Sequence, residues 1–423
     1  NEETGTRISM EYKRRLVEKQ IELKMQYSGG VVIEGAKWVG KSTTASMFAS
    51  TVVKLQDPIE KKKYQTLATI SRTEILKGDK PILFDEWQEV PELWDFIRLD
   101  VDVQNTKGAY ILTGSTSKKD VKTAHSGTGR INRVYMRPMS LYESGESNGT
   151  VSLREMFNSP AMAPSESQVS IDDIAYMICR GGWPGSLDIA KDVQLEVPKD
   201  LLNSNINVEI ESTDGKKRDK EKIRRIIQSY ARNISTLASE TTIYKDQENG
   251  DGIDIKTFET YMNALRRLFV VEDVPPWSQQ IRSSSRLRKS NKKQFVDSSI
   301  AIAALGLSPE KLKQDFATFG FLFESIATRD IRVYAEAIGG NVYYYSDSTG
   351  LEVDLIVELE DGSWGGIEVK LGENEVDKAS KNLLKLASIS VKKPSFLMIL
   401  TNTQMAYQRQ DGVYVVPLGC MKD

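Results

Sequence analysis

The sequence predicts an α/β chain: a three-layer sandwich around a parallel sheet comes first, then a helical module, then a second α/β domain. Two observations carry this. Apolar runs at Val52-Val53, Ile82-Leu83-Phe84, Tyr110-Ile111-Leu112 and Val134-Tyr135-Met136 alternate with helical and polar stretches, the pattern of strands buried on both faces of a parallel sheet. A further apolar run, Val31-Val32-Ile33, feeds directly into a glycine-rich loop, as a strand does before a phosphate-binding turn.

Taken in order, a helix with charged faces is expected from Ser9 to Met25, ahead of the first strand. From Ser144 to Ser170 the composition turns to Gly, Ser, Pro and Asn, which predicts a loop-rich insertion or linker. Ile171 to Ala190 reads as helix interrupted by Arg180-Gly181-Gly182-Trp183-Pro184-Gly185. Asp219 to Phe269 reads as two or three amphipathic helices, with Ile223, Ile226, Ile227 and Tyr230 on one stripe. A helix from Asp315 to Ala337 precedes strands at Val342–Tyr345, Glu352–Glu358 and Gly366–Lys370. The expected units are therefore 1–143, 144–200 (insertion and small helical lid), 201–314 and 315–423.

Composition narrows the chemistry. A chain of 423 residues exceeds one ordinary core, and 39% hydrophobic with 27% charged residues is a soluble globular balance. No run approaches the roughly 18 apolar residues of a membrane span, so no membrane partner is expected. The N-terminus has no apolar signal region, and only Cys179 and Cys420 are present; a reducing, cytoplasmic setting follows. The single histidine, His125, excludes most histidine-based zinc sites and Ser-His or Cys-His triads. Chemistry must rest on carboxylates, lysine, arginine and a bound divalent cation.

Gly35-Ala36-Lys37-Trp38-Val39-Gly40-Lys41-Ser42, followed by Thr43, fulfils G-x-x-x-x-G-K-[ST] between a strand and a helix-forming run. The glycines let backbone amides turn inward around an anion, and the helix start adds its positive end. Lys41 is expected on the β- and γ-phosphates of ATP and Ser42 on Mg2+. Ile82-Leu83-Phe84-Asp85-Glu86 supplies the rest: Asp85 for the metal shell and Glu86 to activate water. After the next strand, Thr113 and Ser115 are either sensors between Asp85 and the γ-phosphate or caps of a following helix.

The order of these blocks, with Trp87-Gln88-Glu89-Val90-Pro91, Ile111-Leu112-Thr113-Gly114-Ser115, Gly129-Arg130, Arg137-Pro138-Met139-Ser140 and Arg180-Gly181-Gly182-Trp183-Pro184, resembles prokaryotic AAA+-like P-loop ATPases that carry a C-terminal domain of unknown function. The resemblance covers nearly the whole chain. It implies an AAA+-like core, an arginine finger at Arg130 acting in cis or on a neighbouring subunit of a homo-oligomer, and further finger candidates at Arg133 and Arg180. Asp297 looks like a family position without a derivable role.

In the C-terminal third, Glu352-Val353-Asp354 and Glu368-Val369-Lys370 form the D…E-x-K arrangement of restriction-type PD-(D/E)XK nucleases. Asp354 and Glu368 would share a divalent cation, Lys370 would stabilise charge, and Glu324 would add a carboxylate; the alternative is a retained fold whose charges pair with each other. Lys222 to Val271 with the basic stretch Arg282, Arg286, Arg288, Lys289, Lys292 and Lys293 resembles a winged helix and its wing, with Arg266 and Arg267 ending the recognition helix. Such clustered cations fit DNA phosphates or simply a solvated loop. The expectation is an ATPase acting on or sensing DNA; the alternative is a nucleotide-dependent regulatory switch whose C-terminal domain binds a protein.

Overall fold

The computed structural model describes residues 12–114, 129–206, 217–247, 252–279 and 289–423. Strands β1 (Gly30–Glu34), β2 (Thr51–Lys54), β3 (Ile82–Asp85), β4 (Tyr110–Gly114) and β5 (Ile131–Tyr135) form an all-parallel sheet in the order β2-β3-β4-β1-β5. Alternate side chains of a strand face opposite ways. Val31 and Ile33 therefore enter one apolar cluster, while Val32 between them joins Phe84, Leu112 and Trp94 in another. β1, β3 and β4 are buried on both faces, which is why they read as unbroken apolar runs, whereas the edge strands β2 and β5 are half-exposed.

The expected Ser9–Met25 helix begins only at Glu18 and runs to Tyr27. Before it the chain is non-helical, because the Arg15 amide donates to the Glu18 carboxylate at 2.7 Å and the Arg15 side chain is drawn into the protein. Residues 9–11 lie outside the described residues.

The segment 144–170 is not a free linker. Its strands β6 (Val151–Ser152) and β7 (Ser165–Glu166) join the end of the chain. That region holds β8 (Gly340–Ser346), β9 (Glu352–Leu359), β10 (Trp364–Val369), β11 (Phe396–Thr401), β12 (Met405–Gln408), β13 (Tyr414–Pro417) and β14 (Met421–Lys422). β6 pairs with β14, and β7 extends a seven-stranded sheet of order β7-β12-β13-β11-β10-β9-β8. Side chains follow: Ser147 Oγ donates to Met421 O at 2.6 Å, and Phe157 packs edge-on against Phe396. Polar composition hid this because the segment's polar groups are satisfied by strand edges rather than by water.

Between the two sheets lie helices Lys220–Arg232, Glu240–Lys245 and Ile255–Arg267. Ile223, Ile226, Ile227 and Tyr230 are buried as the stripe required. An antiparallel ladder, Val271 opposite Phe295 and Val274 opposite Lys292, follows them. The largest apolar cluster contains residues from the first sheet, these helices and the second sheet, including Val31, Ile226, Phe323 and Met398. One core thus ties the nucleotide-loop region to the C-terminal end.

Candidate nucleotide site and C-terminal carboxylate cluster

β1 runs into Gly35, where a Cβ would lie 2.1 Å from the Met136 carbonyl oxygen, so only glycine fits. Trp38 and Gly40 both take positive φ, 66° and 93°, turning the loop back to the Lys41–Ser46 helix. Lys41 is buried, and its Nζ donates to Gly35 O at 2.9 Å and Ala36 O at 2.7 Å. Burial lowers its pKa to about 8, against the opposing pull of Glu86 and Asp85.

Because β4 lies between β1 and β3, Thr113 stands beside both Ile33 and Asp85. The Asp85 Oδ1 atom accepts from Ser42 Oγ at 2.6 Å and Thr113 Oγ1 at 2.5 Å. The Glu86 amide donates to Thr113 Oγ1 at 3.2 Å. Ser42, Asp85, Glu86 and Thr113 are thus brought together; Ser115 lies outside the described residues, as does His125. Two converging oxygen donors, hydroxyl and carboxylate, suit a hard cation such as Mg2+. Glu86 adopts φ 57° and ψ 52°, a left-handed conformation that costs a non-glycine residue about 1–3 kcal/mol and clusters at functional sites.

Three residues that sequence reasoning did not assign belong here. The Gln88 amide donates to Glu86, while Gln88 Oε1 is buried and, among the described residues, has no hydrogen-bond partner. Arg15 is buried and donates to Val39 O (2.7 Å), Arg137 O (2.7 Å) and Glu143 Oε1 (3.1 Å), buttressing the loop from behind. Tyr12 shares with Gly40, Thr43, Pro184 and Leu187 the lining of a cleft beside the loop. No motif pointed to Arg15, whose acceptors are backbone carbonyls and a distant carboxylate. Arg15→Ala leaves Glu143 buried without its cation, so a loss of about 3–5 kcal/mol is expected, together with weaker nucleotide binding. Thermal melts and calorimetry check this; an unchanged melting temperature contradicts it.

Arg130 does not lie at the loop, whereas Arg133 reaches Glu34, the residue before Gly35. The Arg130 carbonyl accepts from Gly30 N, at the end of β1 opposite Gly35, and its Nε meets Asp102 at 2.7 Å. A parallel sheet puts its amino ends a strand length, roughly 15 Å, from its carboxyl ends, so Arg130 cannot reach this chain's own phosphates. Arg180 pairs with Glu146.

The remaining motif blocks meet at a junction. Asp297 is fully buried and accepts from Gly182 N (3.0 Å), Arg329 Nη1 (2.9 Å) and Ser299 N (2.9 Å). Arg329 also binds Asp330, whose Oδ2 accepts from Leu141 N at 3.0 Å. A Cβ on Gly182 would lie 2.2 Å from Met139 O. The Gly-Gly-Trp-Pro and Arg-Pro-Met-Ser blocks are therefore the packing seam to the C-terminal half.

At the second candidate site, Glu324, Asp354, Glu368 and Lys370 do come together, on the Phe316–Ala337 helix, β9 and the end of β10. Lys370 Nζ lies 3.1 Å from Asp354 Oδ2 and 2.9 Å from Glu368 Oε2. Lys292 Nζ lies 2.8 Å from Glu324 Oε1 and 3.4 Å from Asp354 Oδ1. Burial pushes Glu368 up to about 9, with Asp354 adding to it, and Glu324 up to about 7. Burial also opposes ionisation of Asp354, but Lys292 and Lys370 hold its carboxyl below the usual range. This donor set does not fit the shared divalent cation expected from sequence: two ammonium groups already lie against its carboxylate oxygens. Among the described residues, no group of three or more His, Cys, Asp or Glu is arranged to hold a metal ion.

The same contact corrects the basic stretch. Lys292 and Lys293 are buried, Lys293 against Asp273 at 3.0 Å, so neither faces solvent phosphates. Lys289 donates to Ser346 O; Arg282, Arg286 and Arg288 lie outside the described residues. Arg266 pairs with Glu240.

The family model of the AAA domain covers β1 to the start of the junction. Residues 28–145 match an AAA domain. Beyond the AAA domain, residues 171–311 and 319–421 match two domains of unknown function, DUF8612 and DUF4143. Among solved structures, the chain is similar to the Walker-type ATPase PABY2304 of Pyrococcus abyssi, at 15% identity over 68% of this chain and 94% of that one, TM-score 0.41. It is similar to a RuvB variant of Thermotoga maritima, at 17% identity over 61% and 89%, TM-score 0.27. The replication initiator DnaA bound to AMPPCP and single-stranded DNA matches at 13% identity over 59% and 85%, TM-score 0.26. No curated protein matches the chain. No helix among the described residues is long and apolar enough to cross a membrane.

Proposed function

We propose that the chain is a Mg2+-dependent ATPase whose nucleotide state is read by its C-terminal half. The carrying observation is the convergence of Lys41, Ser42, Asp85, Glu86 and Thr113 on one loop. Gly35 to Thr43 would bind the phosphates, the cleft at Tyr12 and Pro184 the nucleoside, and Ser42 with Asp85 the cation. Bound Mg2+ would neutralise charge on the phosphates. Lys41 would leave its loop carbonyls for the phosphate oxygens, Thr113 would orient Asp85, and Glu86, held by Gln88, would take the proton of the attacking water. Arg130 would serve a neighbouring subunit in a homo-oligomer. Two free, buried cysteines suit a cytoplasmic setting.

For DNA, the support is the order of three helices and an antiparallel ladder in residues 220–295, which is that of a winged helix. A nuclease-like origin for the C-terminal domain is supported by the helix, β8-β9-β10 meander and parallel β11. The regulatory-switch reading is favoured by one specific contact, Lys292 among the carboxylates. Phosphate release with and without duplex DNA separates the two: a several-fold DNA stimulation is expected of a DNA-coupled ATPase. Indifference to DNA at every concentration selects the switch.

A further inference from the structure

Lys292 follows from backbone geometry. It pairs with Val274 through both its amide and its carbonyl, at 2.9 Å each, so its side chain and that of Lys293 must leave the ladder on opposite sides. Lys293 turns to Asp273 beside Tyr230 of the helical module. Lys292 turns the other way, is fully buried, and ends between Glu324 and Asp354, with Glu352 at 3.5 Å. A primary ammonium lacking water is tolerable only where carboxylates surround it. The carboxylates in turn lie where a hard cation would otherwise be needed to offset their repulsion.

We propose that Lys292 is the resident cation of this cluster, taking the place of a divalent metal, so that the C-terminal domain is a metal-free module locked to the helical module through this side chain. Lys292 faces three carboxylates, Glu324, Glu352 and Asp354, and Lys370 bridges Asp354 to Glu368. Asp354 accepts from Lys292 at Oδ1 and from Lys370 and the Val369 amide at Oδ2, so both of its oxygens already face donors. The partly exposed Lys370 stays at the mouth, where it closes the cluster to solvent.

The test uses the full chain without nucleotide and Mn2+ as the probe. Mn2+ binding is followed by electron paramagnetic resonance for the unmutated protein, Lys292→Met, and Lys292→Met with Asp354→Asn. Lys292→Met keeps much of the side-chain volume and removes the charge. It should gain a Mn2+ site at least about tenfold tighter than any in the unmutated chain, because freed carboxylates are the hard donors Mn2+ prefers. The double variant should lose that site. A folded Lys292→Met that gains no site overturns the proposal. Should Lys292→Met fold only when Mn2+ is present, the metal has replaced the lysine and the proposal stands.

A second measurement needs no variant. Amine labelling of the unmutated chain, read by mass spectrometry, should leave Lys292 unmodified with and without Mn2+. Labelling of Lys292 that appears on adding Mn2+ shows the metal displacing it and overturns the proposal. This second arm decides the matter if Lys292→Met fails to fold under either condition.

Discussion

Lys41→Ala should reduce ATP affinity by roughly thirty- to several-thousand-fold, because a buried, hydrogen-bonded charge contact is worth about 2–5 kcal/mol. The substitution removes an ammonium that rests on two loop carbonyls and has no other hydrogen-bonded anchor among the described residues. The buried Gly35 and Ala36 carbonyls lose this donor, so a thermal melt of the variant accompanies the affinity measurement. The pH dependence adds a signature. Burial brings the Lys41 pKa to about 8, and bound phosphates favour the protonated amine and so raise it. Affinity should therefore be full below pH 8 and begin to fall as pH rises through about 8, with proton uptake on binding in that range. Calorimetry in buffers of different ionisation enthalpy measures both quantities. In Lys41→Ala this proton uptake should vanish; unaltered affinity in the variant contradicts the loop assignment.

Glu86→Gln should separate binding from chemistry. The left-handed backbone at Glu86 is set by the turn between β3 and the Trp87–Glu89 segment, so glutamine can occupy the same place. Its amide cannot accept a proton from water at neutral pH, and loss of a general base lowers rates by roughly 10²–10⁴. ATP affinity should remain within a few-fold of the original. Single-turnover mixing with labelled ATP reads the chemical step directly. If the step keeps its rate, another group positions the water, and Gln88, whose Oε1 has no hydrogen-bond partner among the described residues, is the neighbour to substitute next.

Most of the first sheet was legible because its chemistry is local. A phosphate loop is a contiguous string, and strands buried on both faces announce themselves as apolar runs. Asp85 and Glu86 follow from a strand end at the expected distance. Legibility failed wherever a side chain acts on something far away in sequence. Arg15 reaches Val39 and Glu143, and Lys292 reaches Glu324 and Asp354; no spacing rule links such positions. Asp297 was visible only as a family position, since its partners Gly182 and Arg329 come from two other elements. The basic stretch misled for a related reason. A run of like charges reads as solvated surface, but alternation along the ladder sends Lys292 and Lys293 into two different acidic pockets. The 144–170 segment reads as linker by composition and is strand by pairing, because edge strands of two residues carry no periodic signal.

The most direct measurement is Mg2+-dependent phosphate release from ATP by the unmutated chain, Lys41→Ala and Glu86→Gln, purified identically and assayed with and without chelator. Release is expected from the unmutated chain alone, abolished by the chelator, with ATP still bound by Glu86→Gln and not by Lys41→Ala. Equal release by all three preparations, or none from the unmutated chain with or without duplex DNA, would contradict the proposed function.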